Sequence, residues 1–96
     1  MSQDPISHVA DGSKGAFRID RDGRTLAAMT YTLAGALVII DHTEVDASLR
    51  GTGAGARLVE AAVAWARDNG RRIMPLCPFA ASVFARTPAY DDVRAT

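Results

Sequence analysis

The sequence predicts a single α+β domain with a mixed sheet: an antiparallel meander of three strands, one βαβ crossover and a short closing helix. Three observations carry that prediction. Apolar and polar residues alternate through successive runs that break at Asp22-Gly23 and Ala34-Gly35. A stretch of helical periodicity follows, opened by glycines and closed by Asn69-Gly70. A short apolar run comes next, and strand, helix and strand in one sheet imply a right-handed crossover between parallel strands.

Each element has its own justification. Residues 1–14 show no sustained periodicity and are expected to form a mobile N-terminal lead-in, leaving 15–96 as one domain. Phe17 and Ile19 alternate with Arg18 and Asp20, which is strand patterning. Asp22-Gly23 suits a type I′ turn, whose two central residues both need positive φ. The run 26–33 places Ala27, Met29, Tyr31 and Leu33 on one face and Thr30 and Thr32 on the other.

Residues 37–45 change character midway. Leu37-Val38-Ile39-Ile40 is apolar on both faces, as in a central strand covered on both sides, whereas Asp41-His42-Thr43-Glu44 is polar. A buried strand that turns polar at its C-terminal end points to a ligand there. In the helix, Arg57, Glu60, Arg67 and Asp68 trace a polar stripe, and Leu58, Val59, Ala62, Trp65 and Ala66 supply the buried face. Gly70 suits the left-handed position just past a helix end. Residues 72–76 are expected to lie parallel to 37–45. Pro78 opens a short helix over about 79–86, Thr87-Pro88 stops it, and Tyr90 begins a short tail.

Composition narrows the function classes. Hydrophobic residues make up 48% and charged residues 23% of the chain, which excludes a disordered acidic or basic tail as its class. A formal net charge of zero and a pI near 6.7 exclude a general nucleic-acid footprint. The longest apolar stretch, 33–40, is far shorter than the ~20 residues that span a bilayer. No apolar segment of a signal peptide is read near the N-terminus. Cys77 stands alone, so it is expected as a free thiol in a cytoplasmic protein. His8, His42 and Cys77 have no metal-ligand spacing, and no metal is expected. His8 and Trp65 are read as structural.

Three constellations could carry chemistry. Arg50-Gly51-Thr52-Gly53-Ala54-Gly55 brings unpaired backbone N–H groups and the positive end of a helix dipole to one place. Its glycines would let a phosphate approach closely, and Arg50 adds a cation. Its spacing is neither a P-loop nor Gly-x-Gly-x-x-Gly, and a tight connection is the plain alternative. Cys77 precedes Pro78 at a helix start, where the dipole favours the thiolate; a small buried hydrophobe is the alternative. His42 and Glu44, two apart on a strand, share a face and are candidate general bases; a hydrogen-bonded pair at a strand end is the alternative.

Arg50-x-x-Gly53-x-Gly55, after a strand ending in Glu44-Val45 and before an amphipathic helix, resembles the acetyl-CoA pyrophosphate loop of GNAT-type N-acetyltransferases. His42-Thr43-Glu44-Val45, Leu49-Arg50-Gly51-x-Gly53, Pro75-Leu76-Cys77-Pro78-Phe79 and Pro88-x-Tyr90 extend the likeness over about 15–92, to the minimal, single-domain members of that family. The resemblance implies a GNAT-like fold with acetyl-CoA as cosubstrate. It implies that Val45 offers backbone hydrogen bonds to the pantetheine arm and that the N–H groups of Arg50, Gly51, Thr52, Gly53, Ala54 and Gly55 hold the pyrophosphate. The thioester would lie where strands 37–45 and 72–76 splay, with Cys77 where many larger members carry asparagine.

The chain departs from that pattern in two places. The residues before 37–45 read as strands, where larger members are expected to carry substrate-binding helices. The position of their usual general-acid tyrosine falls at Phe84. The implied function is acetyl transfer to an amine, a protein lysine or a small molecule. Either His42 or Glu44 deprotonates the acceptor directly, or Cys77 first takes the acetyl group. The alternatives are a non-catalytic acyl-CoA-binding module or partner subunit, and an interaction domain whose glycine loop is only a turn. No nucleic-acid or membrane partner is expected, and the state expected is a monomer or weak homodimer.

Overall fold

A computed structural model describes residues 4–95. The strands are β1 (Ser7–Asp11), β2 (Lys14–Arg21), β3 (Arg24–Ala34), β4 (Leu37–Val45) and β5 (Arg72–Pro75). Helix α1 (Ala54–Asp68) crosses from β4 to β5, and α2 (Pro78–Ala85) follows β5. Short 3₁₀ turns occupy Ala47–Leu49 and Pro88–Val93. The sheet order is β1-β2-β3-β4-β5, antiparallel through β4 and parallel between β4 and β5. The crossover therefore forms as expected. No helix among the described residues is long and apolar enough to cross a membrane.

The expected lead-in contains a strand, and this corrects the three-stranded meander to four. All five residues of β1 are exposed, so no apolar alternation marks them. The connection to β2 is the two-residue loop Gly12-Ser13, with Gly12 at φ +64°. Glycine-serine is itself a hairpin signal, and it is the trace of β1 legible in the chain. At the next turn, Asp22 and Gly23 lie at φ +51° and +79°, as the type I′ reading requires.

One face of the sheet is buried beneath the helices. Phe17, Ile19, Met29, Tyr31, Val38, Ile40 and Ile73 meet Leu58, Val59, Ala62 and Val63 of α1 in a single core. Four rings close one end of it. His8 stacks on Phe17 with centroids 4.2 Å apart, meets Trp65 edge-on at 4.8 Å, and shares a 2.6 Å hydrogen bond with the Tyr31 hydroxyl. Arg71 caps Trp65, its guanidinium carbon 5.4 Å from the ring centroid. The structural reading of His8 and Trp65 thus acquires a content: they fasten the exposed edge strand to the core. The chain beyond Tyr90 is also fastened, since Arg67 pairs with Asp92 through two hydrogen bonds and Ala95 N–H donates to Ile73.

A β-bulge in β4 decides which side chains face the helices. Tyr31 pairs with Ile40 and Thr30 pairs with His42, so Asp41 is left without a partner. Before the bulge the even residues Val38 and Ile40 are buried; after it, the odd residues Thr43 and Val45 turn to that side, opposite buried Met29 and Ala27. His42 and Glu44 consequently stand exposed on the other face.

Candidate functional site

The two parallel strands part at the C-terminal end of β4. The last paired residues are Ile40 and Pro75, and Cys77 N–H then donates to the Ile40 carbonyl at 3.1 Å. Beyond that point α2 begins, and residues 41–45 continue with no strand on their β5 side. The opening leads into a groove of about 740 Å³ between β3, β4, the loop 46–53 and the start of both helices.

The loop is held by its own side chains. Asp46 accepts hydrogen bonds from Ser48 N–H at 2.9 Å and from the Ser48 hydroxyl at 2.6 Å, and these hold its carboxyl below the usual carboxylate range. Leu49 is buried beneath the loop as its anchor. Thr52 gives both its N–H and its hydroxyl to the Leu49 carbonyl, so it fastens the loop and is not part of the groove wall. Arg50 does reach the wall, where its Nε donates to the Val45 carbonyl at 3.4 Å.

The glycines divide into two kinds. Gly51 and Gly53 lie at φ +80° and +84°, and a Cβ on either would meet nothing within 4 Å. Their backbone conformation needs glycine, and the space above them is open to an incoming group. Gly55 is different: a Cβ there would lie 2.5 Å from Phe79 Cζ, so this glycine lets α1 and α2 pack closely. Gly53 is the N-cap of α1. No side chain caps that terminus, and the first turn carries no acidic residue. The N–H groups at Ala54, Gly55 and Ala56 therefore border the groove as uncapped donors at the positive end of the helix dipole.

Cys77 sits at the other side of the opening, as the N-cap of α2. It is only 4% exposed and is not in the groove wall itself. Its Sγ lies 3.3 Å from Oγ1 of Thr43, which is in the wall. Burial pushes the thiol up, but Thr43 and the N–H groups of Ala80 and Phe79 outweigh it, and the net effect is a pKa below the ordinary thiol value. His42 and Cys77 are not brought together: His42 points to the far face of β4 and bonds Glu44 there at 3.0 Å. Phe84 is fully buried and meets Tyr90 edge-on at 5.7 Å, so no phenol occupies that position.

Three residues of the site had no role in the sequence reading. Thr43 stood in the His42-Thr43-Glu44-Val45 block, but its facing required knowledge of the bulge, which has no sequence signature here. Phe79 stood in the Pro75-Leu76-Cys77-Pro78-Phe79 block without a role. Arg86, which adds a second cation to the groove wall, lay beyond every motif. Among the described residues, no group of three or more His, Cys, Asp or Glu gathers as a metal site.

The chain matches the family described as GCN5-related N-acetyl-transferase over residues 16–93. No curated protein matches it. Among solved structures, it is similar to a GCN5-like candidate N-acetyltransferase from Staphylococcus aureus, with 34% identity, a TM-score of 0.75, and coverage of 99% of this chain and 91% of that one. It also shares its fold with two larger proteins. One is the ribosomal-protein-S18-alanine N-acetyltransferase from Escherichia coli (14% identity, TM-score 0.64, 79% of this chain and 52% of that one). The other is a ribosomal-protein-alanine N-acetyltransferase from Brucella melitensis biovar Abortus 2308 (18% identity, TM-score 0.57, 90% and 66%). The chain thus spans about half the length of the first of these and about two thirds of the second.

Proposed function

The chain belongs to the GCN5-related N-acetyltransferase family, and from that premise we propose that it transfers the acetyl group of acetyl-CoA to an amine by way of Cys77. The observation that carries the cofactor reading is the pair Gly51 and Gly53, left-handed with open space above them, beside the uncapped N-terminus of α1. That geometry fits a pyrophosphate, which needs converging N–H donors and no intervening Cβ. Arg50 and Arg86 place two cations in a wall that also holds Glu44 and Asp46, with Arg50 on the glycine loop itself. The unpaired edge of 41–45 is the place for an extended amide arm, and Val45 lies at its end.

Ionised Cys77 would attack the acetyl carbonyl. A bond from Sγ to the carbonyl carbon forms, the thioester bond breaks, and CoA leaves as its thiolate. The acceptor amine then attacks the acyl-cysteine, an amide forms, and Sγ is released. The amine proton passes to His42 or Glu44: Glu44 is one of the residues bordering the groove, and His42 lies 3.0 Å from its carboxylate on the outer side of β4. Phe84 has no proton to donate, which fits a route that needs no tyrosine acid. Acceptors of two kinds suit the site, a protein lysine and a small amine.

The test is calorimetric titration of wild type and Gly53→Glu with CoA and acetyl-CoA, followed by mass spectrometry of the acetyl-CoA sample. Binding lost in the variant and an acetyl adduct on Cys77 are expected. Binding without an adduct or turnover would instead identify a non-catalytic acyl-CoA-binding module, a reading that the low exposure of Cys77 favours. No binding at all would remove both.

A further inference from the structure

We propose that Thr43 is a positioning residue for Cys77, its hydroxyl holding the sulfur against the rear of the groove and donating to it when it is ionised. This deepens the acyl-cysteine reading and rests on it. Oγ1 lies 3.3 Å from Sγ, and among the described residues Sγ is the hydrogen-bond partner of this hydroxyl. The contact joins two elements 34 residues apart in sequence. It exists because of the bulge at Asp41: without that extra residue, strand alternation would turn Thr43 away from the helices and His42 toward them. Thr43 is half-buried at the groove wall, while the sulfur it meets is only 4% exposed, so the hydrogen bond is shielded from water on the Cys77 side. The backbone N–H groups of Phe79 and Ala80 also favour the ionised sulfur without closing a capping hydrogen bond, and no charged side chain is among the groups acting on it. Among the described residues, Thr43 is thus the groove-wall side chain hydrogen-bonded to the thiol.

The experiment compares wild type, Thr43→Val and Thr43→Ser without acetyl-CoA. Two readouts report the thiol itself: pH titration of the Cys77 ¹³Cβ resonance, and the rate of alkylation by iodoacetamide at pH 7. Valine keeps the shape and removes the hydroxyl; it should raise the titration point and slow alkylation about tenfold, the scale of one hydrogen bond to a charged group. Serine should restore both. Thr43→Ala repeats the comparison should the valine chain not fold. A hydroxyl-free variant that titrates and alkylates like wild type would overturn the role of Thr43, and so would a serine variant that behaves like valine. Absence of an acetyl adduct in wild type counts against the acyl-cysteine reading alone, because these thiol measurements involve no acetyl-CoA.

Discussion

Where β1, β2 and β3 meet the C-terminal half of α1, four rings fill the space between sheet and helix, and even the exposed edge strand is tied in through His8. Where the N-terminus of the same helix meets β4, the backbone is left open: β4 outruns its neighbour, and the first turn of α1 has no cap. Both ends belong to one core, sharing β3 and α1. The difference teaches how a chain this small carries a site. Unpaired donors at one end cost free energy unless water or a ligand satisfies them, and the interlocked rings at the other contribute the packing that offsets this cost.

The largest expected effect falls at the closed end. Phe17→Ala removes a buried ring that touches His8, Tyr31 and Trp65. Urea unfolding should show a loss of about 3–5 kcal/mol, a large share of the roughly 5–15 kcal/mol that holds a small domain together. CoA affinity of the protein that remains folded should stay within about twofold of wild type; a large loss would break the division between the two ends.

Next comes a matched pair of glycines. Gly23 and Gly53 have nearly the same φ, +79° and +84°, and neither would crowd a Cβ. Alanine at either should cost about 1–2 kcal/mol of left-handed strain. CoA titration should separate them, with Gly23→Ala binding normally and Gly53→Ala at least about tenfold more weakly. Equal binding by both would mean the space above Gly53 receives no phosphate.

The smallest effect sharpens the comparison through pH. Partial desolvation of the ring between Phe17 and Trp65 lowers the pKa of His8, so folding favours the neutral imidazole beside the Tyr31 hydroxyl. For a depressed histidine, the contribution is complete above the unfolded value of about 6.5 and is lost as pH falls through the folded value. Melting temperatures of wild type should therefore drop more between pH 7 and 5 than those of His8→Gln, and parallel curves would show that His8 carries no pH-dependent part of the fastening.

Most of the fold was legible because it is written in local signals. The bounds of 37–45 match β4, Asp22-Gly23 forms the turn its residues demand, and Asn69-Gly70 ends α1 with Gly70 at φ +64°. The missed β1 has no buried face, so periodicity could not announce it, although Gly12-Ser13 marked its turn. In the site, Gly51 and Gly53 were legible because their residue type records a backbone requirement. The facing of His42 and Glu44 was not: they do share a face, but a strand read with unbroken alternation gives no sign of which face that is.

The sequence by itself determined β2 to β5, the two helices, their order, the parallel crossover and the glycine loop, since each is marked by residues close together in the chain. Only the tertiary structure decided that Thr43 rather than His42 meets Cys77, that Thr52 fastens the loop while Arg86 joins the groove, and that His8 docks an otherwise exposed strand. Those outcomes depend on register across strands and on one unpaired residue at Asp41, and a register shift of one position exchanges the two faces of a strand without changing its sequence pattern.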